Sequence, residues 1–213
     1  MGANNKLVEE DVQQNYPWYE IIETSETLEQ GDFIDNCEIF IPTYIPNDGT
    51  ATLSGSIDSN FTYKVEFGGI KCNVVIVSQS CDLGNNKNLI YTLVCPRKPI
   101  SAYIKPDTNL NKLRGDLEQI RKGQQYRYFM LHQSTLPNCS CETQIVDLAN
   151  VHSIPYNITQ QMAKKHNKRL RLCSPYKEKL AQAFGYYFMR IGLPIDVPEI
   201  KRETLEQALK VTQ

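Results

Sequence analysis

The run Cys72-Asn73-Val74-Val75-Ile76-Val77 places the strongest demand on the fold. Four consecutive β-branched residues suit a strand better than a helix. With almost no polar alternation, that strand has to be covered on both faces. It needs hydrogen-bonded neighbours in a sheet and further layers of structure against it. One neighbour is close in sequence. Ser78-Gln79-Ser80-Cys81-Asp82-Leu83 ends the run, and Gly84-Asn85-Asn86 turns the chain. Leu89-Ile90-Tyr91-Thr92-Leu93-Val94-Cys95 then forms a second strand, stopped by Pro96. The pair reads as a long hairpin at the heart of a small barrel or sheet.

The flanking segments supply the remaining elements. Gly31-Asp32 leads into a strand that runs to Ile41 and is closed by Pro42 and Pro46. Residues 47–60 are turn-rich, and Phe61 to Phe67 alternates with period two until Gly68-Gly69 closes it. Leu110, Leu113, Leu117 and Ile120 recur at helical spacing, and Gly123 stops that helix. Tyr126 to His132 and Thr143 to Leu148 are two further strands, around a loop holding Pro137 and Cys139-Ser140-Cys141. Ser174 and Pro175 open a long C-terminal helix, about 175–191, with Tyr176, Leu180, Ala183, Phe184, Tyr187, Phe188 and Ile191 as its apolar stripe. A short helix from Arg202 to Val211 follows. Strands first and helices later predict the α+β class. Residues 1–30 read as an acidic irregular lead-in docked through Pro17, Trp18 and Tyr19. Residues 31–213 read as a single domain, because no linker-like break interrupts residues 61–192.

Composition narrows the class. With 41% hydrophobic and 22% charged residues, the chain is neither globally disordered nor a fibrous repeat. No apolar run approaches the ~20 residues of a membrane-spanning helix. Met1 to Gln14 is too polar for a secretory signal, so the expected location is cytoplasmic, with no membrane partner. Seven cysteines in that compartment read as reduced thiols, with Cys37, Cys72 and Cys95 as small buried hydrophobes. The Cys139-Ser140-Cys141 pair lacks a second ligand knuckle, so no metal and no cofactor is expected.

The net charge of −1 hides a split of −11 over residues 1–60, +4 over 61–149 and +6 over 150–213. Such a split suits an acidic segment folded over a basic surface, or two faces with different partners. The densest basic run holds Lys164, Lys165, His166, Lys168, Arg169 and Arg171. It is expected to be an exposed connector, since five cations cannot be buried without partners. Exposed, it is either a phosphate-binding surface or a solvated face.

Three strings in order, Gln30-Gly31-Asp32-Phe33-Ile34, the strand leading to Val75-Ile76-Val77-Ser78, and Leu93-Val94-Cys95-Pro96, resemble the barrel of MazF/PemK-type toxins. The resemblance covers about a third of the chain. It implies an SH3-like β-barrel, here with an inserted helix and C-terminal helices, and a groove for single-stranded RNA, which those toxins cleave. It puts Arg97 and Lys98 on a loop bordering that groove. The Arg-Pro pair that opens the family's strand corresponds here to Cys72 and Asn73, and Lys71 stands one residue away, on the other face of a strand. Ser78 to Leu83, Val146-Asp147 and Arg171 through Pro194 are also similar to a group of bacterial and phage-borne proteins.

Three functions follow, in this order. The first is a binding module of a bacterial or phage-borne defence or toxin–antitoxin-like assembly. It contacts RNA or DNA, or a protein partner from the same locus, and is compatible with a homodimer. Its nucleic-acid surface is Lys71, Arg97, Lys98 and Arg127 with Lys164, Lys165, Lys168, Arg169 and Arg171. The second is a MazF-like endoribonuclease with a non-standard active site. The third is a thiol-dependent enzyme in which Cys81 is the nucleophile, His132 or His152 the base, and Asp82 or Asp147 the group that orients it. A turn that satisfies its own backbone groups accounts for the same Ser78 to Asp82 string.

Overall fold

A computed structural model describes residues 16–46, 63–84 and 91–189. Their elements run in the order β1 (Tyr19–Glu23), β2 (Phe33–Pro46), β3 (Tyr63–Ile76), α1 (Ser80–Gly84), β4 (Tyr91–Pro99), a 3-10 turn (Ile100–Tyr103), α2 (Leu110–Arg121), β5 (Tyr128–Leu131), β6 (Gln144–Asp147), β7 (His152–Pro155), α3 (Tyr156–Lys164), β8 (Lys168–Leu172) and α4 (Tyr176–Phe188). The fold is α+β with antiparallel sheets.

Six strands form one sheet in the order β2-β3-β4-β6-β5, with β7 also paired to β4, while β1 and β8 form a separate two-stranded ladder. Strand β4 changes partner along its length: Tyr91 to Val94 pair with β7, and Arg97 to Pro99 pair with β6. Pro96 does not stop this strand. It sits in the gap between the two partners, where its missing N–H breaks neither ladder. No ladder joins β5 back to β2 among the described residues, so the sheet is open there rather than closed as a barrel.

The β-branched run is covered on both faces, as its composition requires. Val75 and Val77 pack with Phe33, Leu131, Val146, Leu172 and Leu180 on one side. Val74 and Ile76 pack with Ile34, Leu83, Val94, Ile154 and Met162 on the other. These are the two halves of the core, each full burial of a Val or Ile contributing roughly 1.5–3 kcal/mol.

Several boundaries differ from the sequence reading. Gly68-Gly69 does not close a strand; neither glycine has a left-handed φ, and β3 runs straight through them as one 14-residue strand. Pro42 does not end β2, which runs on to Pro46, because β2 is an edge strand and tolerates residues that cannot donate. The Ser78 to Leu83 segment contains one helical turn, α1. The long helix α4 ends at Phe188, with Pro175 at its N-cap position, and Ser174 bonds the Glu178 carboxylate at 2.6 Å rather than capping the backbone. The lead-in is not irregular throughout, since β1 lies within it. The turn-rich stretch 47–60 and the short helix from Arg202 to Val211 fall outside the described residues.

The largest correction concerns the basic run. Its second half is β8, and Arg169 and Arg171 are buried, not exposed. Both are clamped on Asp32, whose side chain is wholly buried. Arg171 grips Asp32 in a fork, Nε to Oδ1 at 2.5 Å and Nη2 to Oδ2 at 3.0 Å, while Arg169 Nε donates to Oδ2 at 2.9 Å. The backbone N–H of Glu29 adds a fourth donor at 3.1 Å. The remaining guanidinium donors reach the carbonyls of Glu23, Glu26 and Thr27. Glu29 bridges Arg171 and Lys177 on α4. Burial is possible because one carboxylate and a ring of carbonyls satisfy both cations.

Candidate nucleic-acid interface

The cations named from sequence do not form one surface. Lys164 and Lys165 are exposed at the C-terminal end of α3. Lys168 is paired to Glu23 at 3.2 Å, and Lys71 to Glu38 at 3.4 Å. Arg127 is bidentate on Asp147, at 2.9 and 2.8 Å, and lies 5.2 Å over the Tyr128 ring. Lys98 is exposed on β4.

Arg97 is a different case. It is buried on β4, not solvent-facing as a phosphate contact on a bordering loop would be. Its Nε donates to the Val74 carbonyl at 3.1 Å, and its two terminal nitrogens donate to Gln144 and Asp35. The guanidinium lies 4.1 Å over the Phe33 ring. Burial lowers its pKa from the ordinary arginine value, and the Asp35 carboxylate opposes that shift. This held cation forms part of the wall of a polar cleft of about 480 Å³, together with Asp35, Asn36, Asn73, Asn138, Gln144, His166 and Lys168. Asn73 is thus on the wall of a cleft.

A second, larger cleft of about 680 Å³ lies among α2, β5 and α4. Sequence reasoning missed it, although its aromatic residues were visible as a cluster from Tyr126 to Tyr128. Trp18 stacks on Tyr176 with ring centroids 3.7 Å apart and on His132 at 5.6 Å. His132 stands in the wall, beside Tyr126, Tyr128 and Tyr186. Tyr126 and Tyr186 are exposed. Arg121, Lys122 and Lys179 stand on the same wall. Asn109 starts α2 by accepting from the N–H groups of Asn111 and Lys112, and Gly123, with φ of 70°, ends it, which sets the helix as one side of the cleft.

The thiol constellation is not assembled. Cys81 is exposed on α1, with its Sγ 3.8 Å from Asp82. His132 belongs to the Trp18 stack, His152 is on β7 opposite Val94, and His166 Nε2 donates to the Asp35 carbonyl at 2.9 Å. No hydrogen bond joins Cys81 to a histidine among the described residues. Nor do three His, Cys, Asp or Glu side chains gather as a metal site there. No helix of the described residues is long and apolar enough to cross a membrane.

Burial sets Cys37 and Cys95 apart from Cys81, while Cys72, expected to be buried, is only partly so. Burial pushes Cys37 and Cys95 up to about 12. At pH 8 their thiolates are therefore scarce as well as inaccessible. A chromogenic disulfide reagent at pH 8 is expected to label exposed Cys81 in the folded protein and to reach Cys37 and Cys95 only on unfolding. Mass mapping of the labelled peptides checks this; rapid labelling of Cys95 without denaturant would contradict the core described above.

Comparison with known protein families and with curated proteins finds no match for this chain.

Proposed function

We propose that the protein is a binding module for single-stranded nucleic acid, with the aromatic cleft as its seat. The observation that carries this reading is the combination in one cleft of exposed Tyr126 and Tyr186 with Arg121, Lys122 and Lys179. Single strands are held in this way: bases stack on rings, each stack contributing about 1–3 kcal/mol, and cations follow the phosphates. Glu118 pairs with Arg121 and Lys122, so phosphates would compete with one carboxylate for two cations. The SH3-like barrel of the MazF/PemK type stays part of this reading. Its support is that the three resembling strings overlap the start of β2, the end of β3 and the middle of β4, which are consecutive neighbours in the sheet. A role in a phage-borne or toxin–antitoxin-like assembly is the biological setting we infer from the same resemblance.

Trp18 is the chain's single tryptophan and lies in the wall of the cleft, so its emission reports on occupancy. Titration with a single-stranded oligonucleotide is expected to change that emission. Three phosphates neutralised on a single strand give a log–log salt slope near −2, or about a 20-fold loss of affinity from 50 to 200 mM salt. Tyr126→Ala and Tyr186→Ala should each weaken binding by about 1–3 kcal/mol without moving the thermal midpoint. No binding at low salt, or binding indifferent to both substitutions, would remove the aromatic cleft as the seat. An RNA oligonucleotide recovered intact from the same titration separates a binding module from the endoribonuclease alternative.

A further inference from the structure

The polar cleft is built from a break in the sheet. Pairing between β2 and β3 shifts between Ile34 and Cys37, leaving Asp35 and Asn36 as a bulge. Asn36 takes the left-handed conformation, with φ of 50°, and its N–H donates to Asn73 Oδ1 at 2.9 Å. Bulges commonly re-aim side chains beside binding sites. Here the bulge opens the ladder beside the buried Arg97.

Two features of the cleft point to the kind of ligand. The first is charge. Arg97, Arg169 and Lys168 reach the wall beside a single acidic side chain, Asp35, which pairs with Arg97; Arg169 is neutralised by Asp32, whereas Lys168 is held only by an exposed pair with Glu23, weak enough for a phosphate to compete for it. Arg97 is fixed by three hydrogen bonds and the Phe33 ring, so no side-chain entropy is lost in presenting it. The second is the set of amides. Asn36, Asn73, Asn138 and Gln144 come from four different segments and share one wall. An amide offers a donor and an acceptor side by side, the pattern that matches the edge of a nucleobase. The Asn73 and Gln144 oxygens already accept from the Asn36 N–H and from Arg97, so a ligand would meet their NH2 donors together with the Asn36 and Asn138 amides; a site for inorganic anions alone has no use for the acceptors among these, and a site for a neutral base has no use for the cations.

We propose that this cleft binds a nucleoside monophosphate group, with the phosphate toward His166 and Lys168 and the base edge against the amides. The volume of about 480 Å³ suits one nucleotide. This site is separate from the aromatic cleft and does not depend on that reading. The nucleotide has two sources, a free mononucleotide or the phosphorylated end of a strand.

The test is calorimetric titration of the intact protein with the four ribonucleoside monophosphates, their nucleosides and inorganic phosphate. At least one monophosphate is expected to bind about tenfold or more tighter than both its nucleoside and inorganic phosphate. Lys168→Glu should weaken it about tenfold, while Lys164→Glu, the same charge change outside the cleft, should not. Ser140→Glu, on an exposed loop residue of the wall, is the second variant and should have the same effect as Lys168→Glu. Titrating 5′-phosphorylated and unphosphorylated oligonucleotides against the Tyr126→Ala, Tyr186→Ala protein separates the sources. Preference for the phosphorylated strand over the mononucleotide assigns the strand end, and the reverse assigns the free ligand. Absence of binding by every monophosphate at millimolar concentration overturns the proposal. So does equal weakening by Lys164→Glu and Lys168→Glu, or equal affinity for inorganic phosphate. Trp18 lines only the aromatic cleft of the two, so its emission shows independently whether the first reading fails.

Discussion

Replacing Asp32 with alanine is expected to destabilise the protein by about 3–5 kcal/mol, a large part of the roughly 5–15 kcal/mol that holds a domain of ordinary stability. The reason is what stays behind. Arg169 and Arg171 are both about 5% exposed and share this one carboxylate, so its removal leaves two buried cations facing each other. Glu29 compensates only in part, since it reaches Arg171 alone and is already divided with Lys177. The carbonyls of Glu23, Glu26 and Thr27 accept hydrogen bonds from the guanidinium groups but carry no net charge. Glu29→Gln provides the contrast. Its side chain is one-third exposed, so screening limits the loss to about 1 kcal/mol. In urea, with a slope near 2 kcal/mol/M, the Asp32→Ala midpoint should fall by about 1.5–2.5 M and the Glu29→Gln midpoint by less than ~0.5 M. Equal, small shifts in the two variants would mean that water reaches the guanidinium groups and that the knot is not buried in solution.

The same knot explains which parts of the fold were legible in the sequence. The run from Val74 to Val77 states its need for cover locally, and so does the alternation in the hairpin partner. The α2 helix carries its own start at Asn109 and stop at Gly123. Arg169-Leu170-Arg171-Leu172 also alternates with period two, which is a strand signal. It reads as a surface connector because arginine normally marks solvent, and the carboxylate that reverses that meaning stands about 140 residues away. The one clue available was charge bookkeeping. The described part of the acidic segment does fold against basic partners, through Glu23, Glu29, Asp32 and Asp35 with Lys168, Lys177, Arg169, Arg171 and Arg97.

The candidate sites were harder to read for a related reason. Each cleft is assembled from segments far apart in the chain. In the polar cleft, β2, β3, β4, the loop before β6, β6 itself, and the segment entering β8 each contribute only one to three polar side chains. No short string carries that arrangement. The Ser78 to Asp82 string is unusual locally, yet its Cys81 bonds Asp82 and no histidine among the described residues. Local oddity and spatial convergence proved to be separate properties here.

Gly31→Ala should be the second most damaging change, and three glycines together show why. Gly31 has φ of 87°, and a Cβ there would stand 2.9 Å from the Cβ of fully buried Leu172. The close approach is required by the backbone: Gly31 N–H donates to the Ile76 carbonyl at 2.9 Å, and its own carbonyl accepts from Leu172 at 3.1 Å. This residue therefore ties the six-stranded sheet to the β1–β8 ladder, one position before Asp32. Two penalties add. A left-handed conformation with a side chain costs about 1–2 kcal/mol, and forcing a methyl group into a packed core adds about 1–3 kcal/mol. The sum is ~2–5 kcal/mol. Gly123 isolates the first penalty, since its φ is 70° and a Cβ there meets nothing within 4 Å; alanine should cost about 1 kcal/mol. Gly69 has neither a left-handed φ nor a neighbour within 4 Å, so alanine there should be neutral or stabilising by about 0.4–1 kcal/mol. Chemical denaturation of the three variants is expected to give the order Gly69→Ala, Gly123→Ala, Gly31→Ala from most to least stable. If Gly31→Ala lies beside Gly123→Ala, Leu172 moves aside freely, and the join between the two ladders is looser than its hydrogen bonds imply.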